Sequence, residues 1–406
     1  MNKYILGFVL FLLAQEVPAQ DYWFPRDTVK GSPKSASCAV SLLQVGLIIG
    51  GLDDFGFKRK MYSYSPFQDD WDEEVSLGGA SGDGLERASA CAFTLNHENM
   101  QKAYVCLGQT QTVAYMKDLW EFNPQTETWS QKANFSGTAR RQAVCFTAAN
   151  KAYVGTGEDV TGLKKDVYAY DPNLNTWTQV ADFSGTARRD AVAFELNGFG
   201  FIGTGNDGTL KNDLWMYDVQ SDTWIDKASF PGTPRAGAVA WGALSVAYVG
   251  TGEDLNGDFK NDLYEYNYYL NAWTQRANIP APGRKNAFAF YIDGVSYVGG
   301  GYNGIFLEDF WAYSGTAGLN SSELLEVMLY PNPVQYQLTV QSERFMDNMA
   351  IYSMDGKQLT TESGARQQFS ADVSNWKSGT YIFRCEINGI PTQKIVVKTI
   401  KRILSK

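Results

Sequence analysis

The sequence predicts an all-β chain, a six-bladed β-propeller followed by a small immunoglobulin-like β-sandwich. Three observations carry this. One tryptophan recurs, at Trp23, Trp71, Trp129, Trp177, Trp224 and Trp273, in steps of 48, 58, 48, 47 and 49 residues. A fixed order of short apolar segments fills the intervals, and none keeps a helical period. The composition, 14% aromatic with 39 glycines, suits strands joined by tight turns.

In chain order, residues 1–19 read as a signal peptide. Lys3 gives the basic start, residues 5–13 form an apolar run too short to span a bilayer, and Val17 and Ala19 are the small residues of a cleavage site. No later stretch reaches the ~18 apolar residues of a spanning helix, so no membrane span is expected. The propeller is assigned to residues 20–315, a small polar linker to 316–325, and a second β domain to 326–400.

The third repeat shows the blade best. Segments 143–148, 152–154, 166–170 and 177–180 each read as a short strand. Gly155-Thr156-Gly157 ends the second, and Asp171-Pro172 and Asn175-Thr176 supply turn chemistry before the fourth. Four strands in about 40–50 residues match one propeller blade. The last repeat, from Arg284 to Tyr313, has three strands and no following tryptophan. Trp23 is the orphan at the other end, and Lys34 follows it by eleven residues, as Arg235 follows Trp224. The N-terminal strand is therefore expected to complete the last blade and leave no free sheet edge.

Gly-Thr-Gly or Gly-Gly after the second strand, a tyrosine in the third and a tryptophan opening the fourth resemble the Kelch repeat. The resemblance covers about residues 20–315. The second repeat departs from it at Cys106-Leu107-Gly108, and the first at Gly50-Gly51 and the loop through Lys58-Arg59-Lys60. Beyond the linker, Tyr330-Pro331-Asn332-Pro333, Ile351-Tyr352 before Asp355-Gly356-Lys357, Trp376 to Tyr381, and Lys394 to Lys398 resemble the type A C-terminal sorting domain of the type IX secretion system of Bacteroidota. That resemblance implies a secreted or cell-surface destination, the secretion machinery as partner, and removal of the domain on export. Its strands are expected at 337–340, 349–352, 369–373, 379–385 and 393–398.

Net charge is −9. Residues 326–406 hold ten Lys/Arg and seven Asp/Glu, a net of +3, which leaves −12 for residues 1–325. An acidic body lacks the basic footprint of a nucleic-acid binder. Five cysteines show no metal spacing. Cys91 and Cys106 can face each other across one hairpin, and the alternative is free thiols packed as small hydrophobes. The single histidine, His97, is expected on a hairpin loop. It is too little for a copper-radical oxidase, which the Kelch resemblance would otherwise allow, or for a Ser-His-Asp triad. No cofactor and no metal site are expected. Asp254, Asn256, Asp258 and Asp262 alternate oxygen ligands as a calcium loop does, but lack its glycine placement and closing glutamate.

The candidate ligand-binding residues are Lys34, Arg87, Arg140, Arg188, Arg235 and Arg284. Each precedes the first strand of a blade, so all six should converge at one mouth of the channel, where arginine forks bind carboxylates. A competing reading has them neutralised by the loops between second and third strands, through Asp53, Asp54, Glu158, Asp159, Asp207, Glu253 and Asp254. A second series, Asp118, Asp166, Asp213, Asp262 and Asp309, is expected to fix turns through backbone bonds. Tyr115, Tyr302 and Phe306 are candidate stacking surfaces. The expected function is a secreted or surface recognition module for a glycan, a sugar acid or a protein. The alternative is a carbohydrate-active enzyme of sialic acid mutarotase type, acting at the central pocket.

Overall fold

The computed structural model describes residues 21–32, 34–79, 86–112, 115–243, 245–314, 327–330, 334–353, 357–387 and 390–398. The signal-peptide pattern and the linker lie outside them. The chain divides into two compact units, one of which is Tyr22–Ser314.

That unit is built from six four-stranded antiparallel sheets. In blade three the strands are Val144–Ala148, Lys151–Gly155, Val167–Asp171 and Thr176–Val180, paired in sequence order. Alternation sets the burial of the first. Val144, Phe146 and Ala148 are buried, while Cys145 and Thr147 are half-buried on its other face. First strands line the axis. Cys38–Leu42, Cys91–His97, Val144–Ala148, Val192–Leu196, Val239–Ala243 and Phe288–Ile292 each contact the first strand of the next blade, and the sixth returns to the first.

Tyr22–Pro25 pairs with Phe310–Ser314 and supplies the outermost strand of blade six. The recurring tryptophans show that this seam is like the others. Nε1 of Trp71, Trp129, Trp177, Trp224 and Trp273 donates to the carbonyl of Asp27, Val75, Ala133, Ala181 and Ala228, always four residues past the preceding tryptophan. Trp23 donates to Ala277, four residues past Trp273. One hydrogen bond of 2.8–3.2 Å thus repeats at all six seams.

The departures in blade two are chemical and not conformational. Leu107 and Gly108 take φ of 63° and 98°, close to the 58° and 88° of Thr156 and Gly157. Glycine is required at this second position, because a Cβ on Gly157 would stand 2.7 Å from the Arg141 carbonyl oxygen. His97 corrects an expectation. It ends a strand rather than occupying a loop, and its Nδ1 lies 3.0 Å from the buried Glu121 carboxylate, which also accepts from Tyr104 and Lys102. All five cysteines are free thiols, and Cys91 does stand opposite Cys106.

In the C-terminal unit the strands expected separately at 337–340 and 349–352 are one strand, Gln337–Ser353, continued through register shifts at Gln341/Met346 and Asp347/Ala350. Four other strands pair along it. Val334, Leu338, Val340, Met349, Ile351, Phe369 and Phe383 are among its core residues.

Candidate functional site at the channel mouth

Antiparallel pairing brings three things to one end of each blade: the start of the first strand, the end of the second and the start of the third. The recurring cations and aspartates therefore meet there. Arg87, Arg140, Arg188, Arg235 and Arg284 fork onto Asp118, Asp166, Asp213, Asp262 and Asp309, with both nitrogen–oxygen bonds between 2.5 and 2.9 Å. All five arginines are at most 1% exposed. In Arg140, Arg188 and Arg235 every donor is used. Nε donates to the carbonyl of Thr138, Thr186 or Thr233 and Nη2 to the hydroxyl of the same residue. Nη1 also donates to the carbonyl of Thr156, Thr204 or Thr251. Burial pushes the Asp309 carboxyl up, and the Arg284 fork more than offsets it, so it stays below the usual carboxylate value.

The aspartate series thus does more than fix turns. It supplies the arginines' counter-charges, for which the sequence alone points to the loops between second and third strands. Those loop carboxylates pair elsewhere. Asp53, Asp159, Asp207 and Asp254 bind Lys58, Lys164, Lys211 and Lys260 across their own small turns. Burial raises the Asp159 carboxyl, and bonds from Thr138, Thr161 and Lys164 more than offset it, so it ends well below the usual value. Asp254 also caps the backbone of Asn256 and Asp258, and Asp262 faces Arg235, so the calcium-like run is spread over separate tasks.

Blade one is the exception. Lys34 is buried, and Lys60 stands in the aspartate register directly before the third strand, Met61–Ser65. Lys34 Nζ donates to the Lys30 carbonyl at 3.1 Å and lies 4.3 Å from the centre of the Tyr62 ring. Among the described residues no carboxylate forms a salt bridge with it. Burial pushes its pKa down to about 8, against the pull of Asp53. Its backbone keeps the common pattern. Gly51, Gly108, Gly157, Gly205, Gly252 and Gly301 donate to the carbonyls of Arg87, Arg140, Arg188, Arg235, Arg284 and Lys34 at 2.7–3.0 Å, a ring that closes through Lys34.

The residues two places after the cations form a second ring, which the sequence reading missed. Ala36, Ser89, Gln142, Asp190, Gly237 and Asn286 each donate a backbone N–H to the carbonyl of the preceding member, and Ala36 closes the circle on Asn286 at 2.9 Å. All six have left-handed φ, between 53° and 64°. For non-glycine residues this conformation persists only when the surroundings impose it, and such positions cluster at functional sites. All six line the central opening.

The side chains here break the sixfold symmetry. Arg141 and Arg189 share the Glu158 carboxylate at 3.0 and 2.7 Å. Lys285 pairs with Glu253. In blade five the corresponding residues are Ala236 and Gly237, and beside them lies a cleft of about 420 Å³. Asp190 is half-buried and lines both this cleft and the central opening. Burial pushes its pKa up to about 6, against Arg189, Lys285 and Arg141. The Tyr115 ring lies under Arg141, and Tyr302 packs on Phe306 and Phe259.

The fold is a β-propeller of binding-module type, and its family follows from the match to known repeats. The model of the KLHDC2/KLHL20/DRC7 Kelch-repeats domain matches residues 35–237, half of the chain, and the chain belongs to the Kelch-repeat family. The Secretion system C-terminal sorting domain matches residues 328–398. This type IX tail indicates export to the cell surface or secretion and engagement of that machinery. No helix among the described residues is long and apolar enough to cross a membrane. No curated protein matches the chain.

Proposed function

We propose that the propeller is an exported recognition module that reads a glycan or protein ligand with its channel mouth. One observation carries this reading. The five inner arginines are consumed by the aspartates of their own blades, whereas the residues one and two places after the cations form an asymmetric polar opening with a cleft. In this reading Lys34, Arg87, Arg140, Arg188, Arg235 and Arg284 are positioning residues that hold the loops. Direct contact falls to Arg141, Gln142, Arg189, Asp190, Lys285 and Asn286. Exposed Phe55, Val160, Leu255 and Ile305 stand on the surrounding loops and offer apolar contact to a larger partner.

The test is a screen of the secreted chain against glycans, sugar acids and acidic peptides. Arg141→Ala with Arg189→Ala should weaken any binding while the melting temperature holds. Arg140→Ala with Arg188→Ala should lower the melting temperature and lose binding only with the fold. Binding indifferent to the first pair sinks the assignment.

A mutarotase-type enzyme has one observation in its favour, the Asp190 carboxyl raised to about 6 with Arg189 Nε 3.9 Å away. Exchange NMR of sugar anomers separates the readings. A recognition module leaves the exchange at its buffer rate. Acceleration that Asp190→Asn abolishes favours the enzyme.

A further inference from the structure

We propose that the cleft beside Ala236 and Gly237 seats the neutral, hydroxyl-bearing end of a glycan, with its hydroxyls directed at Asp190 and Gln142. This rests on the recognition reading above and adds the chemical class of the ligand.

The cleft lies where a blade with small residues stands between two with bulky ones; blades one and two are small there as well, with Ser35-Ala36 and Ala88-Ser89. At the two positions after the cation, blades three, four and six carry Arg141-Gln142, Arg189-Asp190 and Lys285-Asn286, all bulky and polar. Blade five carries Ala236-Gly237, and the space left is walled by Arg189, Leu210, Leu255 and Lys285. Gly237 is fixed there. Its φ is +64°, and a Cβ on it would lie 2.7 Å from Asn286 Oδ1. At about 420 Å³ the cleft falls within the range of small-molecule sites.

The floor has acceptor capacity to spare. Gln142 Nε2 donates to Asp190 Oδ2 at 2.8 Å, which orients the amide. Gln142 Oε1 is then buried with no hydrogen-bond partner among the described residues. Arg189 Nε, 3.9 Å from Asp190 Oδ2, is too far to donate. A buried acceptor left unmade is costly, so the ligand that fits here brings donors. A carboxylate brings none, is repelled by Asp190, and finds Arg189 and Lys285 already paired with Glu158 and Glu253. An ammonium donates, but the lining carboxylates Glu253 and Asp254 are already paired with Lys285 and Lys260, and Arg189 and Lys285 face Asp190. A hydroxyl donates to the floor and accepts from the Asn286 amide or the Arg189 guanidinium at once. Adjacent sugar hydroxyls meet both demands without carrying charge into the site.

The experiment is ligand-observed NMR of the secreted chain with methyl hexopyranosides and neutral disaccharides. Sialic acid, galacturonic acid, glucosamine and an acidic peptide are run beside them. Neutral pyranosides should bind, and Asp190→Asn should weaken them by about tenfold or more. Leu210→Trp fills the cleft from its wall without touching the inner ring and should abolish binding. It carries the test even where Asp190→Asn melts early. Neutral sugars that bind both variants as they bind wild type overturn the seat but leave the recognition reading standing. A preference for the acids, the amine or the peptide overturns the ligand class. If nothing in the panel binds, the glycan form of the recognition reading falls as well.

Discussion

Lys34 differs from its five counterparts, and the difference has a pH signature. A lysine whose folded pKa is near 8 is protonated in both folded and unfolded chains at lower pH, where the cost of burying its charge is fully present. As pH rises from about 8 toward the unfolded value near 10.5, the folded chain releases its proton first and stability rises. Lys34→Met should therefore melt higher than wild type at pH 7, with a gap that narrows through that window. A gap that is constant with pH would place the charge elsewhere. The arginines behave oppositely. Asp213→Asn removes the counter-charge of the buried Arg188 and should cost about 3 kcal/mol in denaturant unfolding. Lys34→Arg with Lys60→Asp installs the missing pair and should recover stability that neither single change recovers. The sequence already held the clue to these pairs. The arginine series and the aspartate series recur in the same blades, and both fail together in blade one. In the sequence the two series stay separate, because spacing alone does not show that residues 25 to 31 apart meet at one end of a sheet.

At the scale of the element, the closing strand is the informative one. Trp23 makes the seam bond of Trp224 and packs on Tyr313 at 4.8 Å between ring centres. Trp23→Ala should destabilise by about 2–3 kcal/mol, at or just below the usual range for a large aromatic truncated in a core. Trp224→Ala is its internal control. Equal losses support six equivalent seams, and a negligible loss at Trp23 contradicts the closure. Deleting residues 22–25 should lower the melting temperature sharply by opening the ring. This part of the fold was legible because a tryptophan period of one blade is strong and the orphan Trp23 could be counted. The inner ring of left-handed residues was not legible. Ala36, Ser89, Gln142, Asp190, Gly237 and Asn286 share no residue type. What unites them is a backbone conformation and a circle of hydrogen bonds. The single long strand Gln337–Ser353 was missed for a related reason, since turn-like residues between its halves form bulges instead of a break.

For the whole molecule, regular blades provide a rigid wall, and the irregular residues at one mouth provide specificity. The wall closes by rings of bonds that pass through every blade, Lys34 included. The mouth departs from symmetry where Ala236 and Gly237 open it and where Arg189 and Lys285 flank the gap. The sorting tail places this surface outside the cell, and removing residues 328–398 should retain the propeller inside. The central claim is that ligand contact belongs to the residues just after the cations and not to the cations themselves. The most direct measurement titrates the tightest ligand of the glycan screen against Arg188→Lys and Asp190→Asn, each at a matched folded fraction. Arg188→Lys, which loses the bidentate fork, should lower the melting temperature yet leave affinity within about twofold, while Asp190→Asn lowers affinity by about tenfold or more. Affinity lost in Arg188→Lys and kept in Asp190→Asn would contradict the account.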